Sequence, residues 1–178
     1  MTGWTEEDIR RQFQRARKNG WLQTFKNAAA KYGFPAEVLM AIASRETNMR
    51  NIVGDGGHGY GIMQIDDRSF PEWCHSGLWK DASAGIHKGA LVLQSKRETI
   101  QKGQGKRLNV GGNSFTGKRN LSKGELLRTA VAAYNAGLWS YYDLSRTGNP
   151  DLHTTGRNYA TDTLCRAQAF RKLIGQGT

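Results

Sequence analysis

Residues 36–67, AEVLMAIASRETNMRNIVGDGGHGYGIMQIDD, change their period partway along, and that change decides what the chain can be. Up to Thr47 the apolar side chains Val38, Leu39 and Ile42 recur at helical spacing, and Pro35 suits the first turn of the helix they predict. Leu39, Ile42 and Glu46 are three and four residues apart. On a continuous helix the acid therefore shares the apolar side, where a solvating carboxylate would face the other way. From Asn48 the period fails: glycines at 54, 56, 57, 59 and 61 punctuate the run, and residues 62–65 are too few for a helix. This segment reads as turns with a two- or three-stranded β-sheet, in which an Ile-Met-Gln-Ile strand is followed by Asp66 and Asp67.

Working outward, Thr5 with Asp8 is an N-cap pair, and Ile9, Phe13 and Ala16 continue a helix until Gly20. Trp21, Leu22, Phe25, Ala28, Ala29 and Tyr32 carry a second stripe that stops at Gly33. Downstream, Ser83 is a candidate cap for a core helix through Ile86, Ala90, Leu93 and Ile100. Residues 103–120, GQGKRLNVGGNSFTGKRN, lack a sustained period and read as a basic loop. Ser122 with Glu125 is a capping box for a helix ending before Gly137, and Tyr159, Thr163, Ala167, Phe170 and Ile174 mark a final amphipathic helix.

The length of 178 residues suits one domain, 1–178, with N-terminal helices in 1–33 and a core in 34–174. The formal net charge of +11 favours anionic partners such as nucleic acid, acidic lipid or a bacterial cell wall. Nothing resembles a membrane span, a signal peptide, or a zinc-finger, RNP or helix-turn-helix signature, so neither a membrane nor nucleic acid is the expected partner. For Cys74 and Cys165 both two buried free thiols and one long-range disulfide stay open. His75, His87 and His153 form no metal-ligand set.

Carboxylates in contrasting surroundings suit glycoside cleavage. One carboxyl, kept neutral by apolar neighbours, donates a proton to the bond's oxygen; an ionised one holds water on the opposite face of the sugar. Glu46 fits the donor, and Asp55 and Asp66 fit the ionised role. Asp-Gly is equally a turn pair, and an aspartate at a strand end equally a cap. His58, in a glycine-flanked position near Asp55, is a candidate substrate contact.

Ser44-Arg45-Glu46 at a helix end, then the Gly-Asp-x-Gly-x-Gly-Tyr-Gly-Ile-Met-Gln-Ile-Asp run, then Ala133-Tyr134-Asn135-Ala136-Gly137, Tyr159-Ala160-x-Asp162 and Arg166-Ala167-Gln168 together resemble goose-type lysozyme from about Phe34 to Phe170. The resemblance implies a mainly α (α+β), lysozyme-like helical fold with a small antiparallel sheet beside the cleft. It also implies cleavage of the β-1,4 bond between N-acetylmuramic acid and N-acetylglucosamine in peptidoglycan, without metal or organic cofactor. It assigns Glu46 as general acid and Asp55 and Asp66 as the pair that places water, with inversion, and leaves Asp67 as a cap. Gly59, Tyr60, Gly61, Met63 and Gln64, with Tyr134, Asn135 and Tyr159, fall in its sugar-contacting blocks, the glycines allowing close approach of the rings.

The chain departs from secreted vertebrate members in its cysteines, in residues 70–80 and in the 103–120 loop. That loop is read as an insertion that flanks the groove, touches the wall or meets a proteinaceous inhibitor. Between Ser95 and Arg128 nine Lys or Arg stand against two acids, which suits anionic wall polymers. A monomer acting at the bacterial wall is expected, by an export or release route left open. The rival activities are a lytic transglycosylase, whose glycan hydroxyl closes an anhydro ring without a water-placing Asp, and a non-catalytic wall-binding module.

Overall fold

The computed structural model describes residues 3–176, and eight α-helices and two small antiparallel sheets account for most of them. The expected mainly α class with a small sheet is what forms. The chain divides into two compact units, one reaching to Leu91 and resuming at Thr163, the other Val92–Asp162. The ends of the expected 1–178 span, residues 1–2 and 177–178, lie outside the described residues.

The first unit starts with α1 (Glu6–Lys18), α2 (Trp21–Tyr32) and α3 (Ala36–Thr47). Thr5 and Asp8 form the expected capping box, with the Asp8 amide donating to Thr5 Oγ1 at 3.1 Å and the Thr5 amide to Asp8 Oδ2 at 2.8 Å. Gly20 and Gly33 bracket α2 in left-handed conformations, both at φ 74°. α1 packs on α2 and α2 on α3. Ile9, Phe13 and Ala16, then Phe25, Ala28 and Ala29, turn inward, whereas α3 is buried on every side from Val38 to Ser44. A helix apolar all round belongs in a core, and α3 is the core helix of this unit. At its far end the last helix, α8 (Tyr159–Gln176), sends buried Arg166 to donate to Ser44 Oγ at 2.8 Å.

After α3 come β1 (Val53–Gly54), β2 (Gly59–Tyr60) and β3 (Ile65–Asp66), in the order β1-β2-β3 and antiparallel throughout. The strand expected over residues 62–65 is mostly turn. Gly61 to Gln64 reverse the chain, Gln64 sits at φ 50°, and pairing begins at Ile65. Ile62 and Met63 are both wholly buried, so they do not alternate as strand residues would. A short α4 (Pro71–His75), not expected from the sequence, follows, and then α5 (Ala82–Gly103). Asp81, not Ser83, supplies the cap interaction of α5: its Oδ1 accepts from the Ser83 amide at 2.9 Å. Neither cysteine is paired, so the free-thiol reading holds and the disulfide does not form; Cys74 is buried as expected, whereas Cys165 is exposed.

The second unit contains the later part of α5, the strands β4 (Arg107–Val110) and β5 (Asn113–Thr116), the helices α6 (Lys123–Ala136) and α7 (Trp139–Thr147), and the first turn of α8. The segment read as a loop is therefore a hairpin. Four residue pairs join it, from Arg107↔Thr116 to Val110↔Asn113, and Gly111 and Gly112 turn it at φ 52° and 78°. Leu108 and Phe115 oppose one another and are the more buried pair, while Arg107, Asn109, Ser114 and Thr116 face out. Phe115 meets Tyr141 and Tyr142 of α7 edge-on at 5.9 and 5.4 Å. The Ser122–Glu125 capping box forms as expected.

Candidate active site

Glu46 lies in the last turn of α3, half-buried, one residue before the wholly different backbone of the sheet region. Thr47 joins the two. Its hydroxyl is 3.0 Å from Ala43 O within the helix and 2.9 Å from Ile62 O in the turn before β3, and it also accepts from the Arg50 amide. The acid-bearing helix end is thus tied by its next residue to the segment that carries Asp66.

Asp55 and Asp66 approach one cation. Arg68 Nη2 donates to Asp55 Oδ2 at 2.9 Å, and Arg68 Nε donates to Asp66 Oδ1 at 2.7 Å. Ser69 Oγ donates to the other Asp66 oxygen at 3.0 Å. Partial burial of Asp66 raises its affinity for a proton, but the hydrogen bonds from Arg68 and Ser69 outweigh that, and its carboxyl titrates below the ordinary aspartate value. The two carboxylates come from separate elements: Asp55 opens the one-turn helix Asp55–Gly57 after β1, and Asp66 ends β3. Arg68 escaped the sequence reading. Its signal was its position two residues beyond Asp66, where a long cation reaches back across a turn.

Gln64 organises the sheet beneath them. Gly54 and Gly59 are directly paired, and a Cβ on either would sit 2.5 or 2.2 Å from Gln64 Oε1. The position a Cβ of Gly59 would take is filled by this carboxamide, whose Nε2 donates to Ile52 O at 3.1 Å and Gly61 O at 2.9 Å. Gln64 is thereby a structural strut across β1 and β2. Met63 is wholly buried and occupies the notch left by Gly89 of α5, where a Cβ would stand 2.4 Å from its Sδ. Gly61, at φ 80°, is buried close to the Trp79 carbonyl. Tyr60 is half-buried and edge-on to Trp79 at 5.7 Å and His75 at 6.0 Å, an aromatic group of the kind sugar rings pack against.

Asp67, expected to be a cap, is not one: its Oδ1 pairs with His58 Nδ1 at 2.9 Å and its Oδ2 lies 3.4 Å from His75 Nε2. His58 is therefore engaged within the protein through Nδ1.

Tyr134, Asn135 and Tyr159 fall in the second unit. Tyr134 is half-buried and Asn135 exposed in the last turn of α6; Tyr159 opens α8 and is 2% exposed. Asn135 Oδ1 accepts from the Thr155 amide at 2.8 Å, and its Nδ2 donates to Thr155 Oγ1 at 3.3 Å, which fixes the amide's orientation. The motif gave no hint of Thr155. Among the described residues no group of three His, Cys, Asp or Glu is placed to hold a metal ion, and no helix is long and apolar enough to cross a membrane.

A family model described as Lysozyme g matches residues 12–173. The chain is 29% identical over 151 residues to Lysozyme G of Dromaius novaehollandiae and 30% identical over 151 residues to Lysozyme g of Struthio camelus, in each case over 83% of this chain and 64% of the relative. It is 28% identical over 157 residues to Lysozyme g of Cyprinus carpio, over 84% of this chain and 74% of the relative. The chain thus spans a little under two thirds of the length of the two avian relatives.

Proposed function

The chain belongs to the lysozyme g family, and from that premise we propose that it is a muramidase that hydrolyses the β-1,4 bond between N-acetylmuramic acid and N-acetylglucosamine in bacterial peptidoglycan. The observation that carries this reading is the sharing of Arg68 between Asp55 and Asp66. The shared guanidinium draws the two carboxylates onto one cation, and carboxylate oxygens brought together in this way suit a water molecule approaching a sugar.

In this mechanism Glu46 protonates the glycosidic oxygen. As the bond lengthens and positive charge develops on the sugar ring, water held by Asp55 and Asp66 attacks the opposite face and gives up a proton to the pair, inverting the anomeric carbon. Tyr60, with Trp79 edge-on to it, packs against a sugar ring. The excess of Lys and Arg, 26 against 15 acids, steers the protein as a monomer toward anionic wall polymers.

Mass spectrometry of muropeptides released from purified peptidoglycan tests the proposal. Hydrolysis leaves reducing muramic acid ends. A product set ending in 1,6-anhydromuramic acid would overturn hydrolysis in favour of a lytic transglycosylase, and no release at all would leave a binding module.

A further inference from the structure

Asp55 sits in a backbone that does not hold itself. Asp55, Gly56 and Gly57 are consecutive left-handed residues, at φ 49°, 61° and 99°. For a non-glycine residue that conformation persists only where the surroundings enforce it. The ion pair from Arg68 grips the carboxylate, but both partners are more than 60% exposed, and such a pair contributes little in water.

The turn closes at His58, whose amide donates to Asp55 O at 3.1 Å. His58 in turn is held twice by one residue: the Asp67 amide donates to His58 O at 3.0 Å, and Asp67 Oδ1 pairs with His58 Nδ1 at 2.9 Å. The Asp67 side chain is only 14% exposed, although its partner His58 is 50% exposed, and its second oxygen faces His75 of α4. A carboxylate largely withdrawn from water, and joined to the same residue by a backbone bond as well, orients its partner more firmly than the Arg68–Asp55 pair, both of whose members are exposed.

We propose that Asp67 is a positioning residue of this enzyme: by clamping His58 through backbone and side chain, with His75 bracing its second oxygen, it sets the Asp55 turn so that Asp55 can share a water with Asp66. This rests on the hydrolase reading above. Its consequence is specific, because a misplaced Asp55 slows the chemical step while leaving the sugar contact on Tyr60 in place.

The experiment pairs kcat and KM on soluble peptidoglycan fragments with amide hydrogen exchange of the free protein by NMR. Asp67→Ala is expected to lower kcat about tenfold with KM within about twofold, since loss of orientation in a site costs on the order of tenfold or more, and to speed exchange of the His58 amide. His58→Ala should match it, and the double variant should be no worse than either single one. His58→Asn, whose side-chain N–H lies about where Nδ1 does, should recover most of what His58→Ala loses. Unchanged exchange at His58 in Asp67→Ala, a loss confined to KM, or additive losses in the double variant would each overturn the clamp. If the parent protein released no sugar ends, the hydrolase reading would fail, while the exchange arm alone would still decide whether Asp67 holds the turn.

Discussion

The two small sheets are built on opposite plans. The hairpin β4–β5 has four residue pairs, an inward Leu108–Phe115 pair and a glycine turn, so its ladder and its apolar face hold it together. The sheet β1-β2-β3 has strands of two residues each, and side chains hold it: Gln64 lies across Gly54 and Gly59, Arg68 joins Asp55 to Asp66, and Asp67 clamps His58. A ladder repeats and tolerates substitution, whereas a sheet strutted by single side chains fixes particular atoms in particular places. The second plan is the one that suits chemistry.

That contrast sets an order of expected effects. Glu46→Gln, at the helix end joined to the strutted sheet, is expected to lower kcat on peptidoglycan by about 10³-fold, as the loss of a general acid does, without altering the thermal midpoint. Wall-suspension clearing together with a melting curve checks both halves. Phe115→Ala in the hairpin should do the reverse. It leaves a cavity beneath Tyr141 and Tyr142 costing about 3 kcal/mol in urea unfolding, with kcat of the folded fraction unchanged.

Gly59→Ala sharpens the comparison from the other side. Its Cβ would collide with Gln64 Oε1, so about 2 kcal/mol of stability should be lost. Adding Gln64→Ala should restore part of that loss, a coupling that denaturant titration of the double variant measures directly.

The smallest effect belongs to the junction after the hairpin. Lys118 donates a hydrogen bond to Glu125, the Ser122 amide adds another, and together they hold the Glu125 carboxyl at about 2 against an ordinary 4.5. The folded value lies below the unfolded one. The stabilisation is therefore complete above the unfolded value and is lost as pH falls from about 4.5 toward about 2. Glu125→Gln should flatten the acid limb of the melting temperature in that window and leave it unchanged near neutrality.

What could be read from sequence followed the local signals. Capping boxes at Thr5 and Ser122, left-handed glycines at 20 and 33, and the continuous apolar run of α3 fixed the helices, because each acts within one turn of chain. The hairpin was missed although Leu108, Val110 and Phe115 alternate around Gly-Gly, because the intervening cations and glycines obscured the period of two. The three acids were legible as a motif. Arg68 between two of them, Gln64 across a glycine pair and Asp67 between two histidines were not, since each depends on chain reversals that bring together residues from across 54–68 and from α4.

The most direct test of the account is the configuration of the sugar end at the moment it is released. Proton NMR of a short peptidoglycan oligosaccharide, followed from the first minutes of digestion, resolves the anomeric signals before they equilibrate. If Glu46 donates the proton while water held by Asp55 and Asp66 attacks from the opposite face, the new reducing end appears first as the α anomer. A β anomer appearing first would mean a covalent or substrate-assisted route and would contradict the roles given to both aspartates.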